Sequence, residues 1–352
     1  MDVLPFGSLE RGDATGRHSV DLVTLESGAL RVSLLSLGAS LHAVEAPDRT
    51  GHMDAVCLTL ATLDEIERRA QTSYLGTTCG RYANRIVGST YAIDGYPIVL
   101  EPNDGTSQLH GGPDGFSRRI WDLAAATESD DGGRATFALR SPDGDQGHPG
   151  TLDATATYEL HGHTLRITYA ASTDAPTAVS LTNHAYWNLA GASRWHQARS
   201  IADHELRVVA DKVLPSDEQS LPARPLTDVA AAGLDLRLAP LLGDVLRNRP
   251  SGLDHSFAVS PSPDPAFGPD GLRLGAELHH PPSGRTLTIA TDQPAIHVYT
   301  ANWLTKPFAP QAAVCLETQR FPDAPNRPDL GPAFLYPGER YEATTELTFG
   351  VR

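Results

Sequence analysis

The sequence predicts an all-β protein built as a large antiparallel β-sandwich with few short helices. Apolar and polar residues alternate with a period of two along most of the chain, as in strands with one buried face. Gly 31 and Pro 27 together make up about a sixth of the 352 residues, a proportion that suits many turns. Signals for the start of a helix are scarce.

The clearest strands form a hairpin over residues 151–170. Leu152 and Tyr158 mark one apolar face of its first strand, and Leu165 and Tyr169 mark the corresponding face of the second. A short His-Gly-His turn separates the two, so the segment predicts a β-hairpin with one buried side. Further strands are predicted near residues 19–26, 30–45, 90–100, 134–140, 179–189, 204–210, 285–291, 295–300, 312–319 and 341–349.

Two short helices and one domain complete the predicted architecture. A T-x-x-E capping box that begins at Thr62 opens a helix over about 62–70, and a second helix is predicted over 240–247. The Pro- and Ser-rich segment 260–271 is the best linker candidate. Because similar strands lie on both sides of it, a long surface loop is favoured over a boundary, and 1–352 is expected to form a single domain.

Composition argues against several classes of partner. The net charge of −15 disfavours nucleic acid and anionic membranes, which require clustered Lys and Arg. Cys57, Cys79 and Cys315 form no C-x-x-C pair and suit a reducing compartment. The first residues lack the features of a signal peptide, and no apolar run is long enough to span a bilayer. A cytoplasmic protein that acts on a small molecule is therefore expected.

The sequence lacks the motifs of nucleotide-dependent enzymes and serine hydrolases. It has no G-x-G-x-x-G after a strand, no phosphate-binding P-loop and no G-x-S-x-G elbow. Its histidine pairs come without a complete set of zinc ligands. Acid–base chemistry on a neutral polar substrate, or simple binding, remains.

Glu317 is the first candidate for such chemistry. In the strand-like segment 313–319 it shares a face with Cys315 and Gln319 and is flanked by apolar residues. The alternation along the strand leaves two positions open for the Glu317 side chain, a sheet face exposed to solvent or a cleft lined by other residues. In a cleft, partial desolvation would make the carboxylate a stronger base.

His184 is the second candidate. In the segment 180–189, Thr182, His184, Tyr186 and Asn188 are predicted to share one face. A row of hydrogen-bonding and aromatic side chains is typical of a sugar-binding surface. A sheet face exposed to water would have the same pattern, and the residues alone do not distinguish the two.

Several other polar residues are weaker candidates. His110 lies in a loop with two glycines that can hold it at a cleft edge. Asn84 and Arg85 offer several donors in fixed geometry, as in a clamp on hydroxyl groups. Asp254, and Gln293 before a proline, have no clear assignment from their own segments. Each is equally consistent with an ordinary surface position.

Taken together, these segments resemble one enzyme family along nearly the whole chain. The matching strings occur in family order and are GTTCGRYANRI, LHGGPDGF, DGDQGHPGTL, LTNHAYWNLAG, LPSDEQSLP, LDHSF, TDQPAIHVYT, CLETQRFPDAPN and YPGERY. The family is the galactose mutarotases, or aldose 1-epimerases. The resemblance implies a large antiparallel β-supersandwich and an isomerase that interconverts the α and β anomers of free aldoses of the galactose or glucose type.

The resemblance also implies roles for individual residues. Glu317 would be the catalytic base and His184 the catalytic acid, with no cofactor and no metal. The residues implied to contact or line the sugar site are Asn84, Arg85, His110, Tyr186, Asp254 and Gln293. Trp187 and Ala301 depart from the usual family pattern, which affects the expected shape of the pocket.

Two other functions stay open on the sequence. A hexose-6-phosphate mutarotase would need additional cations at the pocket rim, and no basic cluster is visible. A sugar-binding protein without catalysis could use the same scaffold, although binding alone does not require a Glu–His pair. The sequence does not distinguish a monomer from a homodimer.

Overall fold

A computed structural model describes residues 1–10, 16–69, 72–195, 200–222, 225–260 and 271–352. The two α-helices of this part are α1 (Leu63–Arg69) and α2 (Leu242–Asn248). Its strands are β1 (Asp2–Glu10), β2 (Arg17–Glu26), β3 (Arg31–Leu35), β4 (Ser40–Pro47), β5 (Met53–Ala55), β6 (Thr78–Cys79), β7 (Arg85–Ile86), β8 (Thr90–Ile93), β9 (Tyr96–Val99), β10 (Gln108–Leu109), β11 (Asp122–Ser129), β12 (Gly132–Ser141), β13 (Leu152–His161), β14 (Thr164–Thr173), β15 (Thr177–Ala178), β16 (Thr182–Asn183), β17 (Tyr186–Trp187), β18 (Glu205–Val208), β19 (Lys212–Leu214), β20 (Thr227–Asp228), β21 (Asp254–Ala258), β22 (Arg273–His279), β23 (Arg285–Thr291), β24 (Ala295–Tyr299), β25 (Val314–Gln319), β26 (Phe334–Leu335) and β27 (Tyr341–Val351).

The largest layer is an eight-stranded sheet in the order β11-β12-β13-β14-β27-β23-β22-β18. The hairpin predicted over 151–170 is confirmed, with β13 and β14 in register from Leu152 opposite Thr173 to His161 opposite Thr164. Its predicted apolar face is buried. All named pairs in this sheet are antiparallel, in agreement with the predicted all-β sandwich.

A six-stranded sheet, in the order β17-β25-β24-β21-β19-β20, packs on the large sheet and carries the candidate site. All six residues of β25 are buried, so this strand is covered on both faces. Leu316 lies in one cavity lining with Ile167 and Leu347 of the large sheet. The alternate residues Cys315 and Glu317 therefore point away from that interface.

A third, five-stranded sheet contains β1 to β5 in sequential order. Its residues Val23 and Leu34 belong to the same hydrophobic cluster as Ile167 and Leu316. The inner sides of all three sheets thus meet in one core. Burial of this continuous apolar surface is the main stabilising contribution.

Helix predictions are confirmed, whereas several strand predictions need correction. Thr62 Oγ1 accepts the Glu65 backbone N–H at 3.3 Å, as a capping box requires. The predicted strands over 30–45 and 90–100 are each two strands joined by a turn. The predicted strand over 179–189 is interrupted between β16 and β17, which belong to different sheets.

The proposed linker segment 260–271 falls almost entirely outside the described residues. The sequence patterns missed several strands, most of them short: β1, β5, β6, β7, β10, β11, β15, β19, β20, β21, β22 and β26. Within the ranges that the structure covers, no helix is long and apolar enough to cross a membrane.

Candidate active site

A cavity opens on the face of the six-stranded sheet that points away from the large sheet, where β21, β24 and β25 meet the loops before β7 and after β10. Its empty space is about 470 Å³ when the open mouth is counted. Its lining combines aromatic rings with carboxylate, imidazole, amide and guanidinium groups. The lining residues are Thr72, Tyr74, Asn84, Arg85, Leu109, His110, His184, Tyr186, Asp254, His297, Tyr299, Trp303 and Glu317.

Glu317 and His184 converge in this cavity from separate parts of the chain. His184 Nε2 lies 3.7 Å from Glu317 Oε1, and both side chains are buried. The solvated-face interpretation of Glu317 is therefore wrong, since only 1 % of the residue is exposed. Glu317 Oε2 and His184 Nδ1 are buried without a hydrogen-bond partner in the described part of the chain. Unsatisfied buried polar atoms are costly in a purely structural position and common in functional sites.

Two tyrosine rings hold the imidazole of His184 between them. Tyr186 stacks on it at 4.9 Å between ring centroids, and Tyr74 stacks at 5.8 Å. The His184 backbone is fixed too, because its N–H donates to Thr77 O and its carbonyl accepts from the Gly76 N–H. The ring position is therefore set before any ligand arrives, as preorganised catalysis requires.

The loop carrying His110 is fastened to Asn84 by a reciprocal pair of hydrogen bonds. The His110 backbone N–H donates to Asn84 O at 3.1 Å, and the Asn84 N–H donates to His110 Nδ1 at 3.2 Å. Burial, and secondarily the charges of His184 and Arg85, lower the pKa of His110 well below its usual range. A neutral ring that accepts at Nδ1 must carry its hydrogen on Nε2. His110 is therefore an N–H donor within the cavity lining.

Gly111 permits this close approach. Its φ is +89°, and a Cβ added there would lie 1.8 Å from the carbonyl oxygen of Gly80. No other residue type fits without moving one of the two backbone segments. The glycine that follows His110 in sequence is thus a requirement for where His110 sits.

Arg85 and Asp254 lie next to each other in the cavity lining and form its polar wall. Arg85 Nε donates to Asp104 Oδ2 at 2.7 Å, and Arg85 Nη1 lies 4.0 Å from Asp254 Oδ2. Burial would raise the pKa of Asp254, but a hydrogen bond from His297 and the charges of His297 and Arg85 outweigh it and lower the pKa. Asp254 is therefore an ionised acceptor beside a charged donor.

His110, His184 and Glu317 each place a potential ligand atom within 4.8 Å of the others, a spacing that a bound metal ion would require. The hydrogen bonding of His110 argues against it. With Nδ1 accepting an N–H and Nε2 carrying a hydrogen, neither nitrogen of the neutral ring has a lone pair to offer. His184 and Glu317 alone fall short of the three protein ligands of a catalytic zinc site.

Comparison with known proteins identifies the family. The sequence profile described as "Aldose 1-epimerase" matches residues 21–348. The chain belongs to the aldose 1-epimerase family. Galactose mutarotase of Sus scrofa is 36 % identical over 355 residues, which cover 98 % of this chain and 97 % of the relative. Aldose 1-epimerase of Escherichia coli strain K12 is also 36 % identical, over 93 % of this chain and 94 % of its own.

Solved structures of the family have the same fold. Galactose 1-epimerase of Lactobacillus acidophilus superposes with a TM-score of 0.83 at 27 % identity and covers 99 % of this chain and 98 % of its own. An aldose epimerase homologue from C. elegans also reaches 0.83, at 28 % identity, covering 94 % and 99 %. The expectations of a mutarotase-like β-fold and of membership in this family are thus confirmed.

The structure brings together all but one of the residues expected at the site. Those that line the cavity are Asn84, Arg85, His110, His184, Tyr186, Asp254 and Glu317. Gln293 is not among them. Its side chain donates to Asp292 Oδ1 at 2.7 Å, and it precedes the end of β24 that pairs with Gln319. The cavity lies toward the other end of that strand.

The expected sugar-binding face around His184 also needs correction. Thr182 and Asn188 do not line the cavity, because the chain changes sheet between β16 and β17. Asn188 instead donates to Ser200 Oγ and Ala312 O in the interior. The departures at Trp187 and Ala301 are both buried outside the cavity lining, so neither shapes the cavity by direct contact.

Several lining residues were not singled out by the sequence patterns. His297 and Tyr299 alternate on β24, next to Asp254 and Glu317 on the flanking strands. The i, i+2 spacing that marks Glu317 on its strand would have indicated them as well. Tyr74 and Trp303 lie in loops, where alternation carries no information.

Proposed function

We propose that this protein interconverts the α and β anomers of a free aldose by opening and reclosing the sugar ring, with Glu317 as base and His184 as acid. As a member of the aldose 1-epimerase family, the chain is an isomerase that acts on carbohydrates. One observation carries the assignment of roles. A carboxylate and an imidazole, both buried, converge to 3.7 Å within one cavity.

Ring opening requires one proton to leave and another to arrive at neighbouring oxygens. Glu317 takes the proton of the C1 hydroxyl, and the imidazolium of His184 gives a proton to the ring oxygen. The C1–O5 bond breaks as the C1 carbonyl forms. Rotation about C1–C2 presents the other face of the aldehyde, and O5 attacks C1 again. Both proton transfers then run in reverse and restore the starting protonation states.

The close spacing of the two groups suits this chemistry. Both reacting oxygens are bonded to C1, so an acid and a base that serve them must converge on one carbon. Preset positions, with rings stacked on both sides of His184, avoid reorganisation during the reaction. His110 and Arg85 supply N–H donors that can stabilise charge developing on oxygen.

The remaining lining suits a neutral sugar. Asp254 offers a carboxylate acceptor to hydroxyl groups, and Trp303, 61 % exposed at the mouth, stacks on Tyr299 at 5.4 Å. Exposed aromatic faces are suitable platforms for the C–H faces of a pyranose. The names of the relatives, galactose mutarotase and aldose 1-epimerase, make galactose the first substrate to test, with glucose second.

The electrostatics disfavour a phosphorylated sugar. Arg85 is already paired with Asp104. In the adjoining cleft Arg249 donates to the carbonyl oxygens of Ala232 and Gly233. Asp254 and Glu317 add negative charge to the cavity lining. A phosphate dianion would meet repulsion without a free cation in the part of the lining that the structure describes.

Polarimetry of freshly dissolved α-D-galactose tests the proposal. The wild-type protein should accelerate the approach to the equilibrium rotation in proportion to its concentration. Glu317→Gln, which keeps the shape of the side chain but not its basicity, should reduce the rate about 10²–10⁴-fold while galactose binding by calorimetry persists. Binding without any acceleration by the wild type would instead establish a non-catalytic sugar-binding protein.

We also propose a cytoplasmic location and no role for nucleic acid or membrane partners. Cys57, Cys79 and Cys315 are free and buried, as suits a reducing environment, and the charge of −15 disfavours polyanions. Fractionation of the source cells, with immunodetection of this chain, tests the location directly.

A further inference from the structure

His297 is a cavity-lining residue whose two ring nitrogens are both engaged by neighbouring side chains. Its Nε2 lies 2.7 Å from Asp254 Oδ1, and its Nδ1 lies 2.8 Å from Ser256 Oγ. The three residues sit on adjacent strands, because Ser256 on β21 is directly opposite His297 on β24. His297 in turn is directly opposite Glu317 on β25.

The chemistry of an ionised carboxylate fixes the direction of the bond between His297 and Asp254. An ionised Asp254 can only accept, so Nε2 of His297 carries a hydrogen and donates it. Nδ1 makes the second bond, to the hydroxyl of Ser256, which can either donate or accept there. The chain therefore runs from Ser256 through His297 to the carboxylate of Asp254.

A Ser–His–Asp series invites comparison with a nucleophilic triad, and the geometry rejects that function. Ser256 is 1 % exposed and does not line the cavity, so a substrate carbonyl has no route to its hydroxyl. The histidine also faces the carboxylate with Nε2, whereas a hydrolytic triad faces the serine with that atom. Asp254, at the other end of the series, lines the cavity together with His297.

The bond from His297 leaves one oxygen of Asp254 available. Oδ2 is buried and makes no hydrogen bond within the part of the chain that the structure describes. Arg85 Nη1 is 4.0 Å from it, and the side chain of Ser220 is near enough to help lower the pKa of Asp254. With Oδ1 held by His297, the carboxylate plane is fixed and Oδ2 is the oxygen left to accept from a hydroxyl group. A carboxylate without this anchor would be free to rotate about its χ angles.

We propose that His297 is a positioning residue that holds Asp254 in the orientation needed to bind a sugar hydroxyl, with Ser256 holding His297 in turn. This inference rests on the proposed function. Because a hydroxyl remote from the reacting carbon is bound equally before and during reaction, loss of the anchor changes KM and leaves kcat nearly unchanged.

A double-mutant cycle in galactose mutarotation tests this role. His297→Ala should raise KM about 10- to 100-fold, the usual range for a hydrogen bond to a charged group, and Asp254→Asn should raise it similarly or more. The double variant should be no worse than Asp254→Asn alone, because His297 acts through Asp254. His297→Gln can donate to Asp254 and accept from Ser256, so it should keep KM within about threefold of the wild type.

Additive losses in the double variant would overturn the inference and make His297 an independent sugar contact. A fall in kcat with KM unchanged would overturn it as well. If His297→Ala fails to fold by near-ultraviolet circular dichroism, Ser256→Ala replaces it in the cycle, with a smaller rise in KM expected. Wild-type activity separates the two proposals: an inactive wild type refutes the proposed function, whereas an active one with additive variants refutes only the role of His297.

Discussion

Replacing Gly111 by alanine tests how the site is built. The new Cβ would lie 1.8 Å from the Gly80 carbonyl oxygen, and φ at this position is +89°. The left-handed conformation costs an alanine roughly 1–2 kcal/mol, and relieving the overlap by backbone shifts costs about 1–3 kcal/mol more. The variant should therefore lose about 2–5 kcal/mol of unfolding free energy, measured by urea denaturation.

The same shift should impair activity in the folded fraction. His110 precedes Gly111 and would be displaced with it, and a misplacement of about 1 Å in a catalytic site costs on the order of 10²-fold in rate. Gly51 provides a matched control, since its φ is +82° and no atom lies within 4 Å of its hypothetical Cβ. Gly51→Ala should lose only the conformational term and keep full activity. Equal stability and activity in the two variants would refute the reasoning.

Three further outcomes are expected. Burial, with a smaller contribution from Arg81, lowers the pKa of His148 to about 3, and burial also lowers the pKa of His110 and His204 well below the usual range. In the unfolded chain these imidazoles bind a proton near pH 6.5, whereas in the folded protein they stay neutral. The free energy of unfolding should therefore fall as pH drops below 6.5, by up to about 1.4 kcal/mol per pH unit for each ring. Equal urea midpoints at pH 7 and pH 5 would contradict this. Arg85→Lys, which loses the planar fork, should lower kcat/KM for galactose about 10- to 100-fold, and a wild-type value would remove Arg85 from the site. Dialysis against a chelator should leave the mutarotation rate unchanged, whereas a loss restored by Zn²⁺ would show that a metal participates.

Sequence periodicity predicts the sheet architecture well wherever a strand has one buried face. The hairpin of β13 and β14 alternates cleanly, and its predicted ends at 151 and 170 fall one and three residues from the observed ends at Leu152 and Thr173. Alternation fails where the chain changes sheet within a segment that looks like one continuous strand, as it does around His184 between β16 and β17. Alternation is also ambiguous for β25, because this strand is buried on both faces. The pattern therefore could not decide whether Glu317 faces solvent or a cavity.

The site illustrates a different limit. Candidate residues were found by chemistry and resemblance one segment at a time, which located His110, His184 and Glu317 but not their distances. Gln293 was expected at the sugar because its segment matches the family, yet the residues of that segment that line the cavity are His297 and Tyr299. Only the register of β24 against β25 determines which of the two faces Glu317.

Exchange between the anomers at equilibrium tests the central claim most directly. In two-dimensional ¹H exchange NMR of galactose, wild-type protein should produce cross-peaks between the α and β anomeric protons. Glu317→Gln and His184→Asn, confirmed as folded, should each lower the exchange rate at least about 100-fold, equivalent to roughly 3 kcal/mol of barrier. Exchange at the wild-type rate in either variant would contradict the pairing of these two side chains as base and acid.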